Sequence, residues 1–478
     1  MSETQSEEVD VVVIGVGTCG EDLSLRLLNV GLDVVGIEAN LVGGECPYWA
    51  CLPSKLMIRA ANLLQEGRRA DGKAGTSQIT PDWELLAARV RNEVTGGWSD
   101  AAGVKRFEDR NGRLIHGRGK LIGPKTAIVG DERFTARRGV VIATGSQPQI
   151  PAIPGLDSVD YWTTHDVIAA ETLPTSVIVL GGGTVGCELG QVMARFGADV
   201  TIVEAQERIL PAEEPEASEV VAGAFAEEGI AVKTGAAAQQ VAARDGEIVV
   251  VLAGGEEISG EKLLVATGRK IDVSSLGLES VGLDGAAGHI AVDERMNAAD
   301  GLYAMGDVTG VAMFTHVALY QSAIVAADIL GEEHPPASYH AVPRVTFTDP
   351  EVGAVGMMEA QARAAGIEVA VVVKQLPVTF RGWLHGSGNG MIKFVVNRQS
   401  GVLVGASVAG ARGGEMLGLL ALAVHARIPM AELQSMIYPF PSFYGTIGEA
   451  IGAYGRGLAS VMEPTYEGFD ILDAIGAP

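Results

Sequence analysis

The sequence has few cysteines, only four in 478 residues. Small secreted domains need dense disulfide cross-links, so a chain of this length with so few cysteines is not of that class. The sequence also lacks a long apolar run: the longest, residues 417–424, is too short to cross a bilayer. Residues 1–8 have neither a basic start nor an apolar core. These absences predict a cytoplasmic protein with no signal peptide and no membrane insertion.

Basic residues are scarce as well. The chain has 35 Lys and Arg against 59 Asp and Glu, a net charge of -24. Nucleic acids and anionic membrane surfaces bind basic patches, so this charge excludes both as expected partners. With 478 residues and 47% hydrophobic content, the chain can form roughly three domains of about 150 residues each.

A nucleotide-binding pattern stands near the start of the chain. The apolar run Val11–Ile14 leads into Gly15, Gly17 and Gly20, followed by a helical pattern and a strand that ends at Glu38. In such a loop the first glycine allows a tight turn, the second admits a pyrophosphate and the third lets helix and strand pack closely. The acid can accept hydrogen bonds from a ribose diol. This is the pattern of a dinucleotide-binding unit.

The same pattern returns later in the chain. The predicted strand at residues 176–180 leads into Gly181, Gly183 and Gly186, and a second predicted strand, residues 199–203, is closed by Glu204. In both copies the acid follows the first glycine by 23 positions. A single copy is a weak signal, but two copies in the same context predict two dinucleotide sites. FAD and a nicotinamide cofactor are the expected pair.

Two cysteines, Cys46 and Cys51, stand at a predicted helix start with four residues between them. Residues five apart in a regular helix are separated by about 8–9 Å, whereas a disulfide needs less than about 7 Å between α-carbons. We therefore expect an irregular helix start, with Pro47 in the first helical position. A helix N-terminus also favours the thiolate, so this pair is predicted to be a redox centre. Cys19 and Cys187, beside fingerprint glycines, are expected to be buried by packing.

Four further blocks identify a family. With the two fingerprints and the cysteine pair, they make the chain resemble the class I pyridine nucleotide-disulfide oxidoreductases, the family of dihydrolipoamide dehydrogenase, glutathione reductase and mercuric reductase. The resemblance covers nearly the whole length. It implies an α/β fold with two Rossmann-like dinucleotide-binding domains, as in glutathione reductase, and a C-terminal α+β dimerisation domain. The blocks are Ala143–Ser146, Ala266–Arg269, Gly301–Asp307 and Pro343–Glu351.

The resemblance also implies a domain order and a homodimer. We expect residues 1–160 and 285–340 to bind FAD, residues 161–284 to bind the nicotinamide nucleotide, and residues 341–478 to form the dimer interface. By the family pattern, electrons pass from NADH through FAD to the Cys46–Cys51 disulfide and on to a small-molecule acceptor.

Individual roles follow from the same resemblance. Cys46 is expected to attack the substrate and Cys51 to face the flavin, while Lys55 reaches the flavin and pairs with Glu188. Asp307 is expected to bind the ribityl chain of FAD. Arg269 is expected near the nicotinamide, and no metal site is expected. The full set of expected cofactor-binding residues is Gly15, Gly17, Gly20, Glu38, Gly44, Lys55, Thr144, Gly145, Gly306, Asp307, Gly181, Gly183, Gly186, Glu204, Gly268 and Arg269.

Glu204 indicates which nicotinamide nucleotide is used. A carboxylate at this position accepts a hydrogen bond from the 2'-hydroxyl of NADH and repels the 2'-phosphate of NADPH. NADH is therefore preferred, although Arg208 lies just beyond and can soften the preference.

The chain departs from the family near its C-terminus. Disulfide reductases of this family carry a His-Pro-Thr-x-x-Glu segment there, in which the histidine manages a thiol proton. None of the eight histidines occupies this place. The replacement is Tyr438, Phe440 or Tyr444, and Tyr444 keeps the family spacing to Glu449. Tyrosine is a poor base near neutrality and phenylalanine is none, so turnover of dihydrolipoamide or glutathione is expected to be slow.

This departure leaves several functions open. Mercuric reductase also lacks the histidine but uses cysteines near its C-terminus, and this chain has none after Cys187. The leading hypothesis is reduction of a non-standard, disulfide-type acceptor. A quinone reductase or diaphorase with an accessory disulfide is the main alternative. A relative of 2-ketopropyl-coenzyme M oxidoreductase/carboxylase and a non-catalytic flavin-bearing subunit are the lesser ones.

Aromatic residues offer one further hint. Tyr48, Trp49, Trp98 and Phe440 can form an apolar wall around a substrate, but ordinary core packing explains them equally well.

Overall fold

The computed structural model describes residues 6–386 and 388–455. The end of the expected dimerisation domain, residues 456–478, lies outside the described residues. Among the described helices none is long and apolar enough to traverse a bilayer.

The described chain alternates between helices and strands. The strands are β1 Glu7–Ile14, β2 Val34–Glu38, β3 Arg113–His116, β4 Lys120–Gly123, β5 Thr126–Val129, β6 Glu132–Ile142, β7 Gln147–Pro148, β8 Ser176–Leu180, β9 Asp199–Val203, β10 Ala231–Lys233, β11 Ala238–Arg244, β12 Glu247–Leu252, β13 Glu257–Gly260, β14 Lys262–Val265, β15 Arg269–Lys270, β16 Asn297–Ala299, β17 Leu302–Ala304, β18 Pro343–Thr346, β19 Glu351–Gly356, β20 Val369–Gln375, β21 Met391–Asn397 and β22 Leu403–Gly410. The α-helices are α1 Thr18–Asn29, α2 Glu45–Tyr48, α3 Cys51–Arg68, α4 Trp83–Arg89, α5 Ala101–Glu108, α6 Thr164–Ala169, α7 Thr184–Phe196, α8 Pro215–Glu227, α9 Thr315–Leu330, α10 Glu359–Ala364, α11 Phe380–His385, α12 Gly413–His425, α13 Met430–Ser435 and α14 Phe443–Gly455.

The first sheet is built around β1. Its strands run in the order β16-β17-β6-β1-β2-β3, and the central pairs β1–β2, β1–β6 and β6–β17 are parallel. The second half of β1, Val11–Ile14, and most of β2 are apolar and buried, which is typical of parallel strands covered on both faces. Because β17 comes from residues 302–304, the chain returns to this sheet after building the second nucleotide unit.

The second fingerprint belongs to a separate parallel sheet of order β10-β9-β8-β14. The predicted strands β8 and β9 match the structure residue for residue. α7 crosses between them, as the fingerprint requires. A three-stranded antiparallel sheet, β11-β12-β13, is attached to this unit.

The last part of the described chain forms an antiparallel sheet of order β18-β19-β22-β21-β20. Residues of α12 and α14 pack on it to form a core of their own. The predicted fold class, two Rossmann-like units with a C-terminal α+β domain, is confirmed. The expected domain boundaries stay a prediction.

Candidate active site

The first glycine-rich loop is shaped by close backbone contacts. Gly15 has φ +93°, and a Cβ there would lie 2.5 Å from the Ala143 carbonyl oxygen. A Cβ on Gly20 would lie 2.0 Å from the Gly15 carbonyl oxygen. Gly17 is different, because a Cβ there would meet no atom closer than a Gly44 carbon at 3.8 Å. Two glycines therefore serve the turn and the packing, and the middle one leaves room for a ligand.

The second loop repeats this arrangement. Gly181 has φ +107° and would place a Cβ 2.4 Å from the Ala266 carbonyl oxygen, and Gly186 would place one 1.9 Å from the Gly181 carbonyl oxygen. A Cβ on Gly183 would meet nothing within 4 Å. Gly17 and Gly183 are the N-caps of α1 and α7, and neither helix has a side-chain cap. Uncapped amides beside an open glycine fit a pyrophosphate, so both loops suit dinucleotides.

Each fingerprint acid is buried at the end of its strand and braces its own loop. Glu38 accepts hydrogen bonds from the amides of Val16 and Asn40 at 2.7 and 2.8 Å. Glu204 accepts the equivalent bonds from Gly182 and Gln206, at the same two distances. Burial raises the pKa of Glu38 against the lowering effect of these amides. The carboxylates keep lone pairs for ribose hydroxyls.

Asp307 is held in a small polar network. Its carboxylate accepts a hydrogen bond of 2.6 Å from the Ser146 hydroxyl, and Arg269 donates to the same hydroxyl at 2.7 Å. Arg269 Nε also lies 3.9 Å from Asp307. Ser146, which lies in a family block but was given no role, thus joins the two residues predicted to face the cofactors. Gly145, Gly268 and Gly306 all have positive φ and shape the turns around this network, and Thr144 is exposed.

The cysteine loop is joined directly to the first nucleotide loop. Gly43 and Gly44 have φ values of +102° and +69°, and the Gly43 amide donates to the Val16 carbonyl at 2.8 Å. A Cβ on Gly44 would lie 2.8 Å from the α-carbon of Gly17. This glycine pair, whose positive φ values favour glycine, therefore places the start of α2 against the open glycine of the fingerprint.

The expected irregular helix start is confirmed. One turn of helix, α2, ends at Tyr48, and Ala50 breaks the backbone at φ -139° and ψ -97° before α3 begins at Cys51. The expected position of Pro47 was wrong, because it is the third residue of α2 and not the first. The missing amide costs nothing there, since the first four amides of a helix have no partner within it.

The two cysteines are free thiols in mutual contact. Cys51 Sγ lies 3.3 Å from the Thr315 hydroxyl at the start of α9. A hydrogen bond from Cys46 lowers the pKa of Cys51 to about 6 against the effect of burial, helped by Thr315 and Lys55. The same bond and burial raise the pKa of Cys46 well above its ordinary value. The pair therefore loses one proton easily and carries the charge at Cys51.

Lys55 and Glu188 form the ion pair expected from the sequence. Lys55 Nζ lies 2.8 Å from Glu188 Oε2, and the other carboxylate oxygen accepts a hydrogen bond from the Phe347 amide at 2.8 Å. Glu188 is buried, and the lysine also lies 4.8 Å from the centre of the Phe347 ring. One carboxylate thus connects the cysteine helix, α7 and the loop after β18.

A second buried charged residue, Arg195, also connects α7 to the cysteine helix α3. Arg195 of α7 donates to Glu228 at 2.5 and 2.8 Å and to Asp349 at 2.9 Å. Its side chain is 2% exposed. It also bonds Asn62 of α3. Arg195 therefore links the cysteine helix, through Asn62, to the buried acids Glu228 and Asp349.

The described contacts of the C-terminal candidates Tyr438, Phe440 and Tyr444 are with residues of the C-terminal part of the chain. Tyr438 donates to the Leu433 carbonyl at 2.8 Å, and Phe440 packs edge-on against Phe380. Phe440 is 70% exposed and Tyr444 is 42% exposed. Tyr444, like Glu449, lies in α14. No described contact of Tyr438, Phe440 or Tyr444 is with Cys46.

Sequence reasoning missed a polar cluster beside the cysteines. Glu45, directly before Cys46, is bound by His165 Nε2 at 3.0 and 3.1 Å and lies 3.5 Å from Arg269. The His165 ring also stacks on Trp49 at 4.6 Å. His165 is 120 positions from Glu45, and no motif marks it, so only the fold reveals this contact.

The suggested aromatic wall exists only in part. Trp49 and Trp98 stack with ring centroids 5.4 Å apart. Tyr48 is buried and bonds the Ser99 carbonyl, while Phe440 contacts its own domain.

Comparison with known proteins identifies the family. The pyridine nucleotide-disulphide oxidoreductase family model matches residues 9–322, and the dimerisation domain of the same family matches residues 342–451. The chain belongs to this family. It is therefore a flavin-dependent oxidoreductase that uses a nicotinamide nucleotide, and it carries the family's dimerisation domain.

Curated relatives include two kinds of enzyme. A dihydrolipoyl dehydrogenase from Zymomonas mobilis is 32% identical over 469 residues, covering 95% of this chain and 99% of the relative. A mercuric reductase from Bacillus cereus is 32% identical over 448 residues, covering 92% of this chain and 70% of the relative.

Solved structures of the family have the same fold. The HOCl-induced flavoprotein disulfide reductase RclA from Escherichia coli, as its Cu(II) complex, gives a TM-score of 0.83 at 26% identity, with 93% of this chain and 99% of that one covered. LpdA from Mycobacterium tuberculosis gives 0.83 at 28% identity, with the same coverage. These family members differ in their names and named activities, so the family does not fix the acceptor of this chain.

Proposed function

We propose that this protein is a cytoplasmic, homodimeric, FAD-dependent oxidoreductase that passes electrons from NADH to the Cys46–Cys51 pair and on to a disulfide-type acceptor. The observation that carries the proposal is the contact between the two thiols, with a low pKa at Cys51 and Lys55 nearby. A pair poised in this way can hold one thiolate at neutral pH. That is the form a dithiol needs to give two electrons to a disulfide.

In this proposal each group of site residues has its own role. The fingerprint loops and their acids would hold FAD and the nicotinamide nucleotide, with Asp307 and Arg269 beside the FAD site. Bound FAD would supply two-electron transfer between the nicotinamide and the cysteine pair. Lys55, fixed by buried Glu188, keeps a positive charge at the cysteine helix, and Cys46 is the thiol that meets the acceptor.

Two contacts support NADH over NADPH. The Glu204 carboxylate is fixed by two amides at the end of β9, where it would repel a 2'-phosphate. Arg208 donates to the carbonyls of Pro211 and Glu213 at 3.0 and 3.2 Å. Both bonds are donated by Nη2, so that nitrogen of Arg208 is already occupied.

A homodimer is supported by the exposed surface of the dimerisation domain. Ile437 is 97% exposed and Phe440 is 70% exposed, on the segment before α14. Large apolar side chains in such positions are typical of an interface.

The test is an anaerobic titration of the purified holoenzyme with NADH. We expect a long-wavelength charge-transfer absorbance from the Cys51 thiolate beside oxidised flavin. Cys51→Ser should abolish it, and Cys46→Ser should keep it because Cys51 is still present. Bleaching of the flavin without this band in the wild type would overturn the thiol route.

Direct reduction of a quinone is the second candidate. It is favoured by the C-terminal replacement, because a quinone acceptor needs no base at the thiols. If the Cys46→Ser and Cys51→Ser variants keep full NADH-quinone activity and the wild type does not reduce disulfides, this function replaces the first. No flavin reduction by NADH at all would indicate a non-catalytic subunit.

A further inference from the structure

The outer thiol of the pair, Cys46, needs a base before it can act. Thiol–disulfide exchange is carried by the thiolate, and Cys46 is the thiol assigned to the acceptor. In the structure Cys46 is the protonated member of the pair, because its bond to Cys51, its burial and the charge of Cys51 raise its pKa. The C-terminal segment supplies no histidine, so the base has to be a group that Cys46 contacts.

The described side-chain partners of Cys46 are Cys51, Thr315 and Thr18. A threonine hydroxyl is no base near neutral pH, whereas a thiolate can accept a proton. Cys51 is that thiolate, since its pKa is lowered to about 6. A hydrogen bond joins the two sulfurs, so the proton of Cys46 has a direct path to Cys51.

The raised pKa of Cys46 does not oppose this transfer. It describes the loss of a second proton from the pair, and both the bond to Cys51 and the charge of Cys51 contribute to it. Two thiolates in contact would repel each other. When the Cys46 proton passes to Cys51, the pair still carries one negative charge, so this repulsion does not arise. The surroundings of the two sulfurs then decide where the charge lies.

Thr315 is the hydroxyl that both sulfurs share. Its Oγ1 lies 3.3 Å from Cys51 Sγ, and it also forms a hydrogen bond with Cys46. A thiolate has no proton, so the hydroxyl donates to the charged sulfur and stabilises it. Thr18 also meets Cys46, but its hydroxyl already donates to the Gly43 carbonyl at 3.0 Å. Within the described chain the Thr315 hydroxyl has no hydrogen-bond partner other than the two sulfurs.

The backbone around the pair also favours one negative charge. Helix α3 begins at Cys51 and helix α9 begins at Thr315, and they are 18 and 16 residues long. Neither N-terminus has a side-chain cap. Since the N-terminus of a helix attracts negative charge, both helices stabilise a thiolate where they meet.

Charged groups around the pair leave this role to Thr315. Lys55 favours the charge at Cys51. Titratable side chains on the neighbouring elements have described partners of their own: Glu21 with Arg106, Asp22 with Arg26, Glu45 with His165 and Arg269, Tyr48 with the Ser99 carbonyl, Glu188 with Lys55, and His316 with the Pro343 carbonyl. A substitution at Thr315 removes none of these contacts.

We propose that Cys51 is the base for Cys46, and that Thr315 is a catalytic residue whose hydroxyl stabilises the single negative charge as it moves between the two sulfurs. The inference rests on the proposed function. A thiol pair that contains its own base needs no histidine, which accounts for the C-terminal segment of this chain.

Atoms and electrons balance in this exchange. The Cys46 proton passes to Cys51, and the Cys46 thiolate attacks one sulfur of the acceptor, forming a mixed disulfide and breaking the acceptor S–S bond. The departing thiolate takes the proton from Cys51. The Cys51 thiolate then attacks the Cys46 sulfur, which re-forms the Cys46–Cys51 bond, and the second departing thiolate takes a proton from water. Two electrons leave the cysteine pair, and the reduced nicotinamide nucleotide restores them.

Site-resolved alkylation tests the role of Cys51 as base. Holoenzyme reduced anaerobically with NADH is treated briefly with iodoacetamide at a series of pH values, and mass spectrometry measures the modification of Cys46. The charge-transfer absorbance of the Cys51 thiolate is recorded over the same pH range. In the wild type both signals should rise together through about pH 6. In Cys51→Ser the base is lost, so alkylation of Cys46 should rise only near or above the pKa of an ordinary thiol, about 8.5.

Thr315→Val tests the shared hydroxyl, because it removes the oxygen and keeps the shape of the side chain. We expect both midpoints to move up by about one pH unit, since a hydrogen bond to a charged group changes such an equilibrium by about tenfold or more. Thr315→Ser keeps a hydroxyl and should return both midpoints to the wild-type values. Thr126→Val is the control and should shift neither, because that hydroxyl donates to the Pro124 carbonyl in the β4–β5 hairpin.

Each part of the proposal can fail by itself. A wild-type pH profile of Cys46 alkylation in Cys51→Ser would overturn the base role. If Thr315→Val moves the absorbance midpoint but not the alkylation midpoint, or moves neither, the shared hydroxyl is excluded. Should Thr315→Val lose its FAD, Thr315→Ala and Thr315→Ser decide by the same two midpoints.

Failure of the proposed function gives a different result. If the wild type shows no thiolate charge-transfer band, the proposed function fails and this inference fails with it. A normal wild-type band with unmoved midpoints in Thr315→Val contradicts the Thr315 role alone.

Discussion

Lys55 Nζ lies 2.8 Å from Glu188 Oε2, so a lysine on the cysteine helix is paired with a buried acid on the helix of the second nucleotide fingerprint. The two residues are 133 positions apart. The pair joins the helix of the second fingerprint to the helix that carries Cys51. The buried acid makes this more than a surface contact, because an unpaired Glu188 would bear the full cost of desolvation.

The ion pair can be tested with a charge-neutral change. Glu188→Gln keeps an acceptor for the Phe347 amide but leaves Lys55 without its carboxylate, so the lysine moves from its position. We expect flavin reduction by NADH to slow by about 10- to 100-fold, measured by stopped-flow absorbance. Glu66→Gln is the matched control, because Glu66 pairs with Arg59 on the outer side of the same helix and is 55% exposed. A wild-type rate in Glu188→Gln would contradict this role.

The pH dependence of the thiols follows from the cysteine contact. Since the pKa of Cys51 is lowered to about 6, the thiolate is present above that pH and is lost as the pH falls through it. Alkylation of the reduced apoprotein by iodoacetamide should therefore rise through about pH 6. Cys46→Ala removes the hydrogen bond that lowers this pKa most and should move the rise to higher pH.

Mass spectrometry can assign the alkylated positions. Burial raises the pKa of both Cys19 and Cys187, so neither should be alkylated in the folded protein. A rise near the pKa of an ordinary thiol in the wild type would contradict the predicted thiolate.

The two roles of glycine in the second fingerprint can be separated. Gly186→Ala would place a Cβ 1.9 Å from the Gly181 carbonyl oxygen, so we expect a lower melting temperature as well as lost NADH binding. Gly183→Ala meets no protein atom within 4 Å and should fold normally. It should still weaken NADH binding by at least about tenfold, because the methyl group occupies the place of the pyrophosphate. Calorimetry and NADH titration measure both effects, and normal NADH binding by Gly183→Ala would argue against a pyrophosphate there.

Nucleotide choice is expected to depend on Glu204. Glu204→Ala removes the charge that repels a 2'-phosphate, so the ratio of kcat/KM for NADPH to that for NADH should rise by at least about tenfold. Glu207→Gln, an exposed acid nearby, should leave the ratio unchanged. An unaltered ratio in Glu204→Ala would mean that another group selects the nucleotide.

Arg195 should contribute strongly to stability. Its removal leaves Glu228 and Asp349 without their buried partner, and breaking such a pair costs about 3–5 kcal/mol. Urea unfolding of Arg195→Ala should show this loss. Arg89→Ala breaks an exposed pair with Glu93 and should show no measurable change. Similar urea midpoints for Arg195→Ala and Arg89→Ala would contradict this stabilising role of Arg195.

Local patterns predicted much of this molecule. The strands β8 and β9, both glycine loops and the break before Cys51 depend on short-range geometry: alternation with helices, allowed backbone angles and the reach of a disulfide. These constraints act within a few tens of residues, so the sequence contains them. The position of Pro47 was missed because every residue in the first turn of a helix can lack an amide without losing a hydrogen bond, and the sequence does not select among those places.

Contacts between distant segments were harder to predict from the sequence. The Lys55–Glu188 pair was expected only from the family resemblance, and the Ser146 link between Asp307 and Arg269 was not expected at all. The roles of the C-terminal candidates Tyr438, Phe440, Tyr444 and Glu449 stay a prediction, because no described contact joins Tyr438, Phe440 or Tyr444 to a cysteine.

The sequence by itself determined the cysteine pair, two nucleotide loops and the absence of the C-terminal histidine. It did so because each depends on the identity and spacing of neighbouring residues. Only the tertiary structure decided that Cys51 carries the thiolate and that His165 lies against Glu45 and Trp49. Those properties depend on burial, on Thr315 and on α6, which the fold brings to the cysteine loop from far along the chain.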